Sequence, residues 1–118
     1  AARYADHIAA IVAIEPGGAP GADSEDFKAV LEKNIPVTMY FGDYIDNGDP
    51  AIQATAMWQA MRQACYDFRD AYNDQGGNCT VVDLPQEGIT GNDHFMFQDL
   101  NNDVIADHIE NWIQENVK

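Results

Sequence analysis

Three short apolar runs, separated by helical patterns, constrain the fold of this chain more than any other feature. The runs occupy residues 9–14 (AAIVAI), 36–41 (PVTMYF) and 79–84 (CTVVDL). Continuous apolar runs of this length are typical of strands buried on both faces of a parallel sheet. Helical patterns follow each run, so the order is strand, helix, strand, helix, strand, helix. This alternation predicts an α/β fold with right-handed crossovers and helices on both faces.

Apolar residues at helical spacing predict helices over residues 25–33, 51–74 and 102–116. Ser24 can cap the first helix, and Asn101 or Asn102 can cap the last. The inward side chains are expected to be Phe27, Val30, Leu31, Met57, Met61, Ala64, Cys65, Phe68, Tyr72, Ile105, Ile109, Trp112 and Ile113. Trp58 is also interpreted as core packing, and residues 43–50 as an acidic loop.

A sheet of only three strands would leave its first and third strands as apolar edges, which soluble proteins avoid. The chain therefore looks like a single segment, residues 1–118, of a larger sheet. Its 46% hydrophobic content excludes a disordered chain. No apolar run is long enough to span a membrane, and no signal peptide is recognisable, although a leader removed earlier would leave the same sequence.

The charge and the cysteines limit the partners and the compartment. A net charge of −14 argues against nucleic acid and against an anionic membrane surface as partners. Cys65 is predicted within a helix and Cys79 at a strand start, a placement that favours unpaired thiols. Asn78 begins an N-glycosylation sequon in form, which has meaning only in a secreted eukaryotic protein.

Ionisable residues follow all three predicted strands. Glu15 follows the first, Asp43 and Asp46 the second, and His94 lies in the loop after the third. The carboxyl ends of parallel strands are where function gathers in open α/β sheets. A carboxylate can hold a histidine in one tautomer and stabilise its charged form, so the pattern is that of an acid and a general base.

Metal chemistry does not fit the pattern. The three histidines share no ligand spacing, so a zinc site is not expected. The segment 43–49 resembles a calcium loop at first sight, but Ile45 occupies a ligand position and no glutamate closes the loop. No cofactor is expected.

The segments IVAIEPGG, IPVTMYFGDYI and GNDHFMFQDLNN, with ADHIENWI behind them, resemble the C-terminal half of bacterial α/β-hydrolase esterases. The subgroup that they resemble carries its triad acid as a glutamate after the sixth strand. The resemblance implies that His94 is the triad histidine and Glu15 the triad acid. Asp46 and Asp43 remain alternative acids, because Asp43 lies where the more usual aspartate loop begins and Asp46 a few residues further on.

The nucleophile of that family has no counterpart here. No G-x-S-x-G elbow occurs, and Ser24, the only serine, lies ahead of a short helix. The oxyanion-hole donors are missing as well. The resemblance therefore implies a partner, the N-terminal half of the same fold, that carries the serine and oxyanion hole on a separate chain of a heterodimer or on a missing segment.

These observations predict part of a serine hydrolase, most simply one that acts on a small carboxylic ester; thioester, amide or lyase chemistry on the same triad stays open. Phe95, Met96 and Phe97, beside His94, either line an acyl pocket or pin the loop to the sheet. The resembled esterases include exported enzymes, which favours a secreted or periplasmic location. The alternative is a non-catalytic α/β module that binds a partner through its sheet edge.

Overall fold

The computed structural model describes residues 1–117, and of Gln53 the backbone alone. Three parallel strands form one sheet in the order β1-β2-β3: β1 (Ile11–Ile14), β2 (Val37–Phe41) and β3 (Cys79–Asp83). The predicted α/β fold of three parallel strands alternating with helices is confirmed. Because the first and last strands are the two edges, each has one side without a strand partner among the described residues.

The helices are α1 (Glu25–Glu32), α2 (Tyr44–Asn47), α3 (Pro50–Gln53), α4 (Thr55–Asp74) and α5 (Asn102–Asn116). Short 3₁₀ helices occupy Ala2–His7, Leu84–Glu87 and Met96–Gln98. No helix in the described part of the chain is long and apolar enough to cross a bilayer.

The predicted starts of α1 and α5 are confirmed to within a residue, but only one of them is capped as expected. Ser24 Oγ accepts a hydrogen bond from the amide of Phe27 at 3.2 Å and donates to the carbonyl of Gly21 at 2.7 Å. Asn101 occupies the N-cap position of α5 without a side-chain cap. Its side chain bonds Asn92 instead, in the loop that carries His94.

The predicted helix over residues 51–74 is wrong at its start. Ala54 adopts a left-handed conformation (φ 47°, ψ 44°), which a right-handed helix cannot continue, so α3 ends there and α4 begins. Asp49 Oδ1 caps α3 by accepting from the amide of Ala51 at 2.9 Å. The predicted acidic loop likewise contains the single turn α2.

Helices cover both faces of the sheet, as predicted. On one face α1 and α4 pack with the side chains of Val37, Met39 and Phe41 from β2. On the other face α5 packs against Tyr40 and Val82. Two residues predicted to point inward are exposed instead: Met57, in the first turn of α4, and Ile113, in the last turn of α5. Cys65 and Cys79 are buried and unpaired, as predicted.

Candidate active site

Glu15 is placed at the carboxyl end of β1 by a strained turn of the backbone. Its amide donates to the carbonyl of Tyr40 at 2.9 Å, which extends the ladder between β1 and β2 by one bond. Its φ of 42° is left-handed, a backbone conformation that residues other than glycine rarely adopt. The side chain is only 4% exposed, so a charged group is held inside the protein.

The Glu15 carboxylate has two hydrogen-bond partners. Oε1 accepts from the amide of Gly42, just after β2, at 2.7 Å. Oε2 lies 3.1 Å from Nδ1 of His94. Burial raises the pKa of Glu15 above its usual 4.5, while the Gly42 amide and His94 act in the opposite direction. These two partners are the groups that favour an ionised carboxylate at this position.

Gly42 allows the loop of His94 to approach the end of β2. A Cβ atom at this position would lie 2.5 Å from the carbonyl oxygen of Asn92. Only a residue without a side chain can therefore stand here while its amide reaches Glu15. Gly42, just after β2, thus joins the acid to the loop of His94.

Carboxylates and amides hold the loop before His94. Both oxygens of Asp43 accept from the amide of Gly91, and Oδ1 also accepts from the amide of Asn92 at 2.8 Å. Asp99 Oδ2 accepts from the Asn92 side chain and from the amide of Asp93, each at 3.1 Å. Asn92 itself is fully buried. Asp43 and Asp99 therefore fix the backbone just before His94.

Aromatic rings flank the imidazole of His94. The ring centroid of Trp58, from α4, lies 4.1 Å from that of His94, and the centroid of Phe95 lies 4.8 Å away. A pocket of about 330 Å³ is lined by these rings and by Glu15. Part of the imidazole faces this pocket, since the His94 side chain is 38% exposed.

The contacts of His94 define what its two ring nitrogens can do. An ionised carboxylate can only accept, so the proton on His94 is assigned to Nδ1. Among the groups that the structure describes, none bonds Nε2 of His94. Nε2 is then the basic nitrogen, free to take a proton from another group. The pair has the chemical capacity of a general base with an orienting acid.

The two alternative acids lie in other contacts. Asp46 forms an ion pair with Arg62 at 2.8 Å and accepts from the side chain of Gln59. The Arg62 guanidinium lowers the pKa of Asp46. Asp43 holds the backbone of the loop, as described above. Of the three candidate acids, only Glu15 has a hydrogen bond to His94 in the described part of the chain.

The three apolar residues after His94 have different environments. Phe95 is half-exposed and lines the pocket. Met96 is fully buried beneath α5. Phe97 is exposed and lies outside the pocket, with its ring edge-on to that of Phe95. The structure therefore brings Phe95 alone to the pocket and places Met96 where it pins the loop.

Several residues of the site are not predicted from the sequence. Trp58 packs partly against the core, as predicted, but its ring also lies against that of His94, a contact that the sequence does not predict. Tyr44 and Ile52 line the pocket from α2 and α3. Tyr44 lies in the segment predicted as a loop, and Ile52 in the first turn of the predicted helix over residues 51–74. The pair Asp49-Pro50, a capping residue followed by proline at the first helical position, was the signal that could have located α3.

No group of three or more histidine, cysteine, aspartate or glutamate side chains among residues 1–117 is arranged to hold a metal ion. No family model and no curated protein matches the sequence. Among solved structures, the chain is similar to one described as a novel bacterial esterase, with 40% sequence identity and a TM-score of 0.79. The match covers 94% of this chain and 31% of that chain. The chain therefore has an esterase-like α/β fold and spans less than a third of that esterase's length.

Proposed function

We propose that this chain is the part of a serine hydrolase that supplies the triad histidine and acid, and that the complete enzyme hydrolyses carboxylic esters. The hydrogen bond between His94 and Glu15, at the carboxyl end of a parallel sheet, is the observation that carries the proposal. The similarity to a bacterial esterase supports the ester as substrate. A module that only binds a partner has no need of a buried, strained carboxylate paired with a histidine.

In this proposal the chain corresponds to the C-terminal half of an α/β-hydrolase fold, with Glu15 as the acid after the sixth strand. The nucleophilic serine and the oxyanion donors belong to the other half. Ser24 is unsuited to the task, because its hydroxyl already caps α1. The open side of β1 is where the other half would continue the sheet, and Val12 on this strand is 36% exposed.

The reaction then follows from the two ring nitrogens of His94. The external serine attacks the ester carbonyl, and Nε2 takes the hydroxyl proton as the new C–O bond forms. Glu15 stabilises the resulting imidazolium through Nδ1–H. The imidazolium gives its proton to the leaving alcohol as the ester bond breaks, and an acyl-enzyme remains. Water repeats both steps and releases the acid.

The test is ester hydrolysis by the complete protein that contains these residues. His94→Gln should lower kcat by at least about 10⁴-fold, because no other base can take the serine proton. His7→Gln is the matched control, since His7 is exposed and does not line the pocket. Full activity of the His94→Gln variant would exclude the proposal.

The same assay identifies the triad acid. Asp46→Asn should leave kcat within about threefold, because the Asp46 side chain serves Arg62. Glu15→Gln should lower kcat by about 10²–10⁴-fold, because the imidazolium loses its charged partner. The opposite ranking of these two variants would assign the role to Asp46.

A further inference from the structure

The pocket in front of His94 has a composition that selects its ligand. Its surface is formed mainly by Tyr44, Ile45, Ile52, Ala54, Trp58 and Phe95. These side chains come from α2, the α3–α4 junction and the loop after β3, so three separate segments converge on one apolar space. The volume of about 330 Å³ lies at the lower end of the range for small-molecule sites.

Much of this apolar surface is open. Ile52 is 78% exposed, Phe95 is 51% exposed and Tyr44 is 40% exposed. Removal of large apolar side chains from water is favourable, so these residues stabilise a ligand or another segment that covers them. Two of the three are aromatic. Edge-to-face or offset contacts between aromatic rings add to the binding free energy beyond that of area burial.

The charged groups around the pocket are all acidic, apart from His94 itself. Glu15 and Asp93 line it. No lysine or arginine among residues 1–117 does so. Each of the five described basic side chains is engaged elsewhere: Lys28 with Glu25, Lys33 with Asp6, Arg62 with Asp46, Arg69 with Asp70, and Arg3 over the ring of Tyr4. From the described residues, a carboxylate in the pocket would meet like charges and no fixed positive partner.

We infer that the substrate is an ester whose group against His94 is an uncharged aromatic ring, and that esters bearing a carboxylate on that ring are rejected. This inference rests on the proposed function, because it concerns the substrate of the same site. Tyr44 and Phe95 provide the ring contacts, and Glu15 and Asp93 provide the discrimination against negative charge.

The experiment compares matched esters with the complete protein, followed by acid release in a pH-stat. On the acyl side the pair is methyl phenylacetate and methyl cyclohexylacetate; on the alcohol side it is benzyl acetate and cyclohexylmethyl acetate. In both pairs the ring is separated from the ester by one carbon, so intrinsic reactivity is similar. For either the acyl-side pair or the alcohol-side pair, kcat/KM should be roughly tenfold higher for the aromatic ester than for its cyclohexyl counterpart. Equal or higher values for both cyclohexyl esters would overturn the inference.

The anionic ester is the aromatic substrate of the preferred side with a carboxylate at the para position of its ring. Its kcat/KM should be at least about tenfold below that of the uncharged ester, because of repulsion by the two carboxylates. Phe95→Lys should narrow this gap, since the new ammonium would lie at the pocket. Leu100→Lys adds the same charge at a fully exposed position outside the pocket and should leave the gap unchanged.

The outcomes separate the two proposals. Hydrolysis that favours the carboxylate-bearing ester, or a gap that responds equally to both lysine variants, would overturn the substrate inference and leave the hydrolase standing. Failure to hydrolyse any of the esters, without labelling of a serine by an active-site probe, would overturn the proposed function and this inference with it.

Discussion

At the scale of single residues, Glu15 combines burial, a negative charge and a left-handed backbone. Left-handed backbone costs a residue other than glycine roughly 1–2 kcal/mol. Burial of the carboxylate adds a further cost, which the Gly42 amide and His94 offset only in part, since the pKa of Glu15 remains raised. A position this unfavourable for stability is typical of a functional site, where strain and perturbed ionisation are concentrated.

The raised pKa of Glu15 predicts how stability depends on pH. Burial makes the folded protein hold this proton more tightly than the unfolded chain does. The contribution of Glu15 to stability is therefore fully present below its usual pKa of 4.5 and is lost as pH rises through the raised value. Glu15→Gln keeps an uncharged side chain at all pH values, so it should be more stable than the wild type at pH 7 and lose that advantage at pH 4.

Urea unfolding of both proteins at the two pH values measures this difference. Glu25→Gln is the control, because Glu25 is fully exposed and its pKa is lowered by Lys28. An equal advantage of Glu15→Gln at pH 4 and pH 7 would contradict the role of burial. Combined with the kcat loss expected for the same variant, the result would show a site in which activity and stability oppose each other.

At the scale of elements, the ends of β1 and β2 and the loop after β3 form one unit. The Gly42 amide bonds Glu15, and Asp43 beside it holds the amides of Gly91 and Asn92. The unit is tight, since Gly42 and Asn92 lie in backbone contact. A change at Gly42 should therefore be transmitted to both Glu15 and His94.

Gly42→Ala tests this unit. The added methyl group would lie 2.5 Å from the Asn92 carbonyl, so the loop or the strand end must shift. We expect a loss of roughly 1–3 kcal/mol in the free energy of unfolding, the usual range for overpacking, together with a fall in kcat. Gly21→Ala is the matched control, because nothing lies within 4 Å of the position and its φ is not left-handed. A Gly42→Ala protein with wild-type stability and activity would show that the contact is dispensable.

The sequence predicts the elements that local residue patterns encode and misses those that depend on tertiary contacts. The three strands and helices α1 and α5 are encoded locally, by apolar runs, by spacing and, at α1, by the Ser24 cap. The break at Ala54 could not be predicted, because alanine is the best helix former and its left-handed conformation depends on the tertiary setting. The core packing of Trp58 is confirmed, but its contact with His94 could not be predicted, because it joins α4 to a loop far along the chain.

At the scale of the whole molecule, the sheet has a core on each face and two edges without a strand partner in the described chain. The alternation of strands and helices was sufficient to predict this architecture. The strand order predicts that Glu15 and His94 lie at the same end of the sheet. The choice of Glu15 over Asp43 and Asp46 depended on the resemblance, because a triad is defined by geometry rather than by sequence position. The nucleophile cannot be read from these residues at all, since the only serine caps a helix.

The most direct test of the central claim is the intact mass of the complete protein before and after treatment with a fluorophosphonate serine probe. Our account predicts one label, on a serine outside residues 1–118, with unchanged labelling in Ser24→Ala and much slower labelling in His94→Gln. Absence of any label, or a label on Ser24, would contradict the assignment of His94 as the base of a serine hydrolase.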